Sequence, residues 1–207
     1  TGYDHIDTAA ARDRKIIVSN VPTYGENTVA EHTFALILAL SRKIVDSVDR
    51  TRRGDFTLEG LRGFDLKGKT IGVVGTGHIG MHVIRIAKGF EMNVLAFDIK
   101  KDALSAKNLG FEYVDFDTLL KSSDIITLHC PYNKATHHLI NNGNSSKIKR
   151  GAMLINTARG GLVETHALLK AIDSGLIAAA GLDVLENEFN IKEEKQPVRP
   201  FQKGVFW

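Results

Sequence analysis

From Lys69 onward the chain alternates short, continuous apolar runs with amphipathic stretches. The runs at 71–74, 94–97, 125–128, 153–155 and 177–184 are short, apolar and mostly rich in β-branched residues, so they predict buried strands. A further short strand is expected at 111–114. Between most of them lie segments of helical period, the clearest running from Thr165 to Ser174 before Gly175. Strands without polar alternation, separated by amphipathic helices, predict an α/β fold: a doubly wound parallel sheet covered on both faces.

The pattern before Lys69 differs. A short polar helix is expected from Asp7 to Arg14, then a strand, Ile16-Ile17-Val18-Ser19-Asn20, broken by Val21-Pro22. This opening unit is too small to own a core and reads as the tail of another domain. A long helix follows from Glu26 to Arg53, with Glu26 and Glu31 near its start, Arg50, Arg52 and Arg53 at its end, and Gly54 as a stop. Val29, Phe34, Ile37, Leu40, Ile44, Val45 and Val48 give it a broad apolar face, which could pack on its own sheet or against a second copy of the chain.

The first strand runs into Gly75-Thr76-Gly77-His78-Ile79-Gly80 and then into a helix through Ala87. Gly75 allows a tight turn, Gly77 lets the backbone approach a pyrophosphate, and Gly80 permits close packing of helix on sheet. The helix N-terminus then faces the phosphates with its N–H groups and dipole. Alone this glycine spacing is a weak signal. Here the next strand ends in Asp98, where a carboxylate can accept hydrogen bonds from the adenosine ribose. Together they predict a dinucleotide site, and the charge of Asp98 selects NAD over its 2′-phosphorylated form.

Doubly wound sheets place ligands beyond the carboxyl ends of their strands. The segments there are Gly75 to Gly80, Asp98, His129-Cys130-Pro131, Thr157-Ala158-Arg159-Gly160-Gly161 and Asp183 to Glu188. Arg159 offers a planar fork suited to a carboxylate. Asp183 can accept from the nicotinamide carboxamide. Glu186 and Glu188 cannot be told apart by spacing. His78 is expected near phosphate and His129 near the nicotinamide, while His137, His138 and His166 read as surface or packing residues. No histidine pair has metal-ligand spacing with a third ligand, so no metal is expected.

Composition narrows this further. The chain has 207 residues, 43% hydrophobic and 25% charged, as in an ordinary globular protein. A net charge of +3 without a dense basic run gives no support for nucleic acid as a partner. The single cysteine, Cys130, excludes an internal disulfide and fits a reducing, cytoplasmic setting. The apolar run 34–40 is far too short to span a membrane.

With these residues in place, the chain resembles the D-isomer-specific 2-hydroxyacid dehydrogenase family, most closely its D-lactate dehydrogenase branch. The likeness runs from about Gly2 to about Gln196. It rests on Gly2-Tyr3-Asp4-His5-Ile6-Asp7, Asn20-Val21-Pro22-Thr23-Tyr24, Val29-Ala30-Glu31-His32-Thr33 and the glycine loop. It continues in Leu128-His129-Cys130-Pro131, Ile155-Asn156-Thr157-Ala158-Arg159-Gly160 and Gly181-Leu182-Asp183-Val184-Leu185-Glu186. The resemblance implies a Rossmann NAD-binding domain at 23–190, a remnant of a flavodoxin-like substrate domain at 1–22 and a divergent tail at 191–207. It implies NAD contacts at His78, Ile79, Asp98, Cys130, Pro131, Thr136, Thr157, Ala158, Arg159 and Asp183. Arg159 matches the arginine that grips the 2-oxo acid, Glu188 the acid that pairs with the catalytic histidine, and Tyr24 an aromatic residue near substrate.

The long helix from Glu26 matches the family's dimer-forming arm, so a homodimer is expected. The family's catalytic histidine lies beyond the matched region, so this fragment is expected to bind NAD but to reduce 2-oxo acids such as pyruvate weakly or not at all. NAD-responsive corepressors resemble the same family and leave a non-catalytic NAD(H)-binding interaction module as the alternative. An adenosylmethionine-dependent methyltransferase shares the glycine turn and the acid, but not the segments around Arg159 and Glu188.

Overall fold

The computed structural model describes residues 2–3, 6–21, 23–188 and 205–206. Helix α1 (Thr8–Asp13) opens the chain, with the Asp7 carboxylate accepting from the Ala10 amide at 2.8 Å as its cap. The strand expected at 16–20 does not form, and its Ile17 side chain is 93% exposed. An extended segment needs a neighbouring strand to satisfy its backbone, and among the described residues none pairs with it. The motif residues Asp4, His5 and Pro22, and the tail from 191 apart from 205–206, lie outside the described residues.

The long helix is two helices, α2 (Glu26–Ser41) and α3 (Ile44–Arg52). Lys43, between them, takes a left-handed conformation with φ of 55°. The returning chain explains the break. Phe64 donates its amide to the Ser41 carbonyl at 3.0 Å, and a methyl on Gly63 would strike that same oxygen. A carbonyl claimed from outside is satisfied without a further helical turn. The predicted apolar face divides accordingly. In α2, Ala30, Phe34, Ile37 and Leu40 are buried, and Phe34 stacks on Phe90 with ring centroids 5.4 Å apart. In α3, Ile44, Val45 and Val48 remain exposed.

The alternating part of the chain folds as its pattern predicts. Its strands are β1 (Thr70–Val74), β2 (Asn93–Phe97), β3 (Glu112–Tyr113), β4 (Ile125–Leu128), β5 (Ala152–Asn156) and β6 (Ile177–Leu182). Helices α4 (His78–Gly89), α5 (Ala103–Leu109), α6 (Phe116–Ser122) and α7 (Thr165–Asp173) lie between them. A seventh strand, β7 (Val205–Phe206), pairs with β6 through Ala180 and Gly181 and extends the sheet beyond the six expected strands. All neighbours are parallel, in the order β3-β2-β1-β4-β5-β6-β7.

Two apolar layers cover the sheet. On one face, Ile71, Val73, Val94, Ile125 and Ile155 pack with residues of α2 and α4. On the other, Val74, Ile126, Leu128 and Leu154 pack with Leu119 and Leu120 of α6 and with Leu168 and Ala171 of α7. Each fully buried aliphatic side chain contributes about 1.5–3 kcal/mol, so these layers hold the strand ends in register. Because the order reverses between β1 and β4, the connections after them leave for opposite faces of the sheet and open a crevice at their carboxyl ends.

Candidate cofactor and active site

The crevice begins with backbone. Gly75 has φ of 94°, a conformation that favours glycine, and donates its amide to the Phe97 carbonyl at 2.8 Å. A methyl there would also lie 2.7 Å from the Cys130 amide nitrogen, so the loops after β1 and β4 touch at the switch point. A methyl on Gly80 would run into the Gly75 carbonyl, which lets α4 press against the end of β1. Gly77 is the opposite case: a methyl there would meet nothing within 4 Å. It caps α4 without a side chain, so the helix start, with its partial positive charge, faces open space. This is the cradle a pyrophosphate needs, and the residues present fit one.

The acid after β2 is built into that cradle. Asp98 Oδ2 accepts from the Thr76 amide at 2.6 Å and the Thr76 hydroxyl at 3.1 Å, while Oδ1 accepts from the Lys100 amide at 2.9 Å. Partial burial works to raise its pKa, but donation from Lys100 and Thr76 outweighs it and keeps the carboxyl below its ordinary value. The anionic form is therefore the one that a ribose, or a competing 2′-phosphate, would meet. His78 stands exposed at the first turn of α4, its Nδ1 3.9 Å from Glu26 Oε1, and Ile79 packs against the core beneath it.

After β4 the His129 ring turns inward. Its Nε2 lies 2.8 Å from Thr127 Oγ1, while Nδ1 is buried without a protein partner. Burial lowers its pKa to about 3, so the ring is neutral at physiological pH. Burial likewise raises the Cys130 thiol to about 11, with the Asp98 charge adding to the effect. The thiol therefore stays protonated and lends packing rather than nucleophilicity. Pro131 and Thr136 form one turn: the Thr136 hydroxyl donates to the Pro131 carbonyl at 2.7 Å and accepts from the Asn133 amide at 2.8 Å.

The loop after β5 is shaped by a buried Asn156, whose side chain accepts from the Ala158 amide at 3.1 Å and donates to the Arg159 carbonyl at 2.9 Å. Arg159, partly buried, donates through Nη1 to the Ala158 carbonyl at 2.7 Å. The Thr157 hydroxyl is buried 3.0 Å from that of Thr33 on α2. A second link from α2 pairs His32 Nε2 with Asp183 Oδ1 at 3.3 Å. The start of α2 thus borders the crevice, a role that its apolar face alone does not predict. Its polar signal is the run Glu31-His32-Thr33, set between the buried Ala30 and Phe34.

Spacing left Glu186 and Glu188 unresolved, and their surroundings differ. Glu186 accepts from the Thr165 hydroxyl at 2.6 Å, the Thr165 amide at 2.9 Å and His138 Nε2 at 2.5 Å. Burial works to raise its pKa, but the Thr165 and His138 contacts pull it down to about 2. His138, expected to be an ordinary surface or packing residue, is therefore hydrogen-bonded to a carboxylate from a distant loop. Glu188 is exposed and accepts from the Leu185 amide at 3.0 Å. Tyr24 is exposed just ahead of α2. Among the described residues no three metal-ligating side chains gather, and no helix is long and apolar enough to cross a membrane.

This arrangement has counterparts among known proteins. Residues 34–204 match the model of the D-isomer specific 2-hydroxyacid dehydrogenase, NAD binding domain. A 2-hydroxyacid dehydrogenase homolog of Haemophilus influenzae is 43% identical over 205 residues, covering 99% of this chain and 62% of that protein. The D-lactate dehydrogenase of Escherichia coli is 42% identical over the same length, with the same coverage. The D-lactate dehydrogenase of Aquifex aeolicus, solved with NAD and lactic acid, superposes with a TM-score of 0.85 at 42% identity. That match covers 92% of this chain and 57% of the solved one. The chain thus spans about three-fifths of the length of these relatives. With the strand order of a dinucleotide-binding sheet and the glycine cradle at its switch point, the chain belongs to the D-isomer-specific 2-hydroxyacid dehydrogenases and comprises their NAD-binding domain.

Proposed function

We propose that this chain serves NAD-dependent interconversion of a small 2-oxo acid and its D-2-hydroxy acid, with pyruvate and D-lactate as the favoured pair. The observation that carries this reading is that the glycine cradle, Asp98, Arg159 and Glu188 all lie at one edge of one sheet. Bound NAD supplies the hydride acceptor or donor. The chain's own residues hold and orient. The α4 amino end and Gly77 receive the pyrophosphate, and Asp98 the ribose hydroxyls. Ile79, Cys130, Pro131, Thr136, Thr157 and Ala158 line the cofactor, and Asp183 accepts from the carboxamide.

Arg159 grips the substrate carboxylate and stabilises the charge developing on the C2 oxygen. Tyr24 borders the substrate. Glu188 orients a histidine and raises its pKa so that it gives its proton to that oxygen during reduction. The family resemblance puts that histidine beyond the matched region, and the histidines near the site have other partners. His32 faces Asp183, His138 is held by Glu186, and His129 is buried and neutral. In this reading residues 23–190 form the cofactor domain and 1–22 belong to the substrate domain. The partner that covers Ile44, Val45 and Val48, which are 47%, 45% and 44% exposed, is a second copy of the chain.

The test is a fluorescence titration with NADH and with NADPH, followed by NADH oxidation in the presence of pyruvate. Tight NADH binding, weaker NADPH binding and feeble turnover by this chain alone are expected. Absence of NADH binding at millimolar concentration would overturn the reading, and brisk turnover would overturn the assignment of the proton donor. For the dimer, Val48→Lys should shift the sedimentation coefficient to that of a monomer, and a wild-type chain that sediments as a monomer refutes the pairing.

A further inference from the structure

Loops after β4, β5 and β6 converge on one carboxylate that the proposed chemistry does not use. Glu186 binds Thr165, 21 residues away, through its Oε2 and His138, 48 residues away, through its Oε1. His138 is itself fastened on the other side. Its amide donates to the Gly161 carbonyl at 2.9 Å, and its carbonyl accepts from Asn141 Nδ2 at 2.8 Å. Gly160 closes the same junction, since a methyl there would strike the Leu185 carbonyl and lie 2.5 Å from the Glu186 amide nitrogen.

Arg159 precedes this contact by one residue, and the Leu185 amide that anchors Glu188 sits directly beside it. The linkage also reaches the Pro131–Thr136 turn. The His137 ring stacks on His138 with centroids 3.8 Å apart, and Tyr132 Oη lies 3.0 Å from His137 Nδ1.

We propose that Glu186 and His138 form a clamp that fixes Arg159 and Glu188 relative to each other across the carboxyl edge, both acting as positioning residues for the dehydrogenase site on whose assignment this rests. A simpler role would be capping of α7, whose own preceding residue, Glu164, makes no capping bond to it. Capping accounts for the Thr165 contacts. It does not account for the 2.5 Å bond to His138, which serves no helix end and ties two loops together. A half-buried, charge-assisted bond between distant segments limits how far either can move alone.

The test combines hydrogen exchange read by mass spectrometry on the whole chain with NADH titration well below the unfolding temperature. Glu186→Gln and His138→Ala should each speed exchange about tenfold in both 134–141 and 183–188, with the β1 and β4 strands unchanged. NADH affinity should weaken several-fold in both. His138→Gln, which keeps an N–H donor, should restore most of the protection.

Faster exchange confined to 183–188 would reduce Glu186 to a helix cap and overturn the clamp, as would faster exchange everywhere or no change at all. A wild-type chain that binds no NADH, with both loops freed together in the variants, would leave the clamp standing and remove the dehydrogenase reading.

Discussion

The loop after β1 and the turn after β6 stand at the same edge of the same sheet, yet they are built differently. The first is made of backbone. Its shape follows from the φ of Gly75, the packing of Gly80 and the space left at Gly77, and the groups proposed to meet the cofactor are amides at a helix end. The second is made of side chains. Asp183, Glu186 and Glu188 are placed by partners on other segments or by a neighbouring amide, namely His32, His138, Thr165 and Leu185. A backbone site tolerates few added atoms where it is packed, at Gly75 and Gly80, and its own amides do not titrate. A side-chain site tolerates shape changes better but depends on protonation.

The harshest way to probe that contrast is Gly80→Ala. The added methyl meets a carbonyl oxygen that cannot rotate away, so we expect a loss of about 3 kcal/mol or more, read by urea denaturation. A variant as stable as wild type would show that the α4 contact is slack.

The next effect belongs to the other region and is read in acid. Glu186 has a folded-state pKa of about 2 against an ordinary 4.5, so its contribution is complete above the ordinary value and is lost as pH falls from 4.5 through 2. Scaled for its partial exposure, the loss is on the order of 2 kcal/mol. Stability curves of wild type and Glu186→Gln should therefore converge below pH 2–3. Parallel curves would show that the carboxylate gains nothing from His138 and Thr165.

The mildest probe is Gly77→Ala, which separates binding from folding. Open space and a φ of −67° accommodate alanine, but it caps a helix less well than glycine, so the variant should lose at most about 1 kcal/mol of stability. The methyl would still occupy the phosphate cradle, so NADH affinity should drop about tenfold, about 1.4 kcal/mol. Destabilisation of about 3 kcal/mol or more would erase the distinction between cradle and fold.

The same contrast governs what could be read from the chain before folding. Gly75, Gly80 and Asp98 are legible because each answers a local demand: a turn, a close approach, a strand end. The strands from 71 to 182 are legible because their burial on both faces leaves uninterrupted apolar runs. The partnership of His138 with Glu186 is not, because 48 residues separate them and only the stacking of β4, β5 and β6 brings them together.

The break at Lys43 was invisible for a similar reason. Helical periodicity continues through it, and what ends α2 is the Phe64 amide arriving from elsewhere in the chain. The 16–20 segment has strand composition, but a strand exists only where a neighbour accepts its hydrogen bonds.

The double engagement of Asp98 carries a consequence for anyone wishing to retune which nicotinamide coenzyme is preferred. One of its oxygens is already spent on Thr76, inside the very loop that cups the diphosphate, and Thr76 in turn touches the Tyr113 hydroxyl 2.8 Å away. On the proposed function, swapping the acid for serine to welcome an extra phosphate would also loosen the loop proposed to carry the coenzyme. Selectivity and grip would then be coupled through a single carboxylate, and an exchange would have to supply Thr76 with a substitute acceptor at the same time.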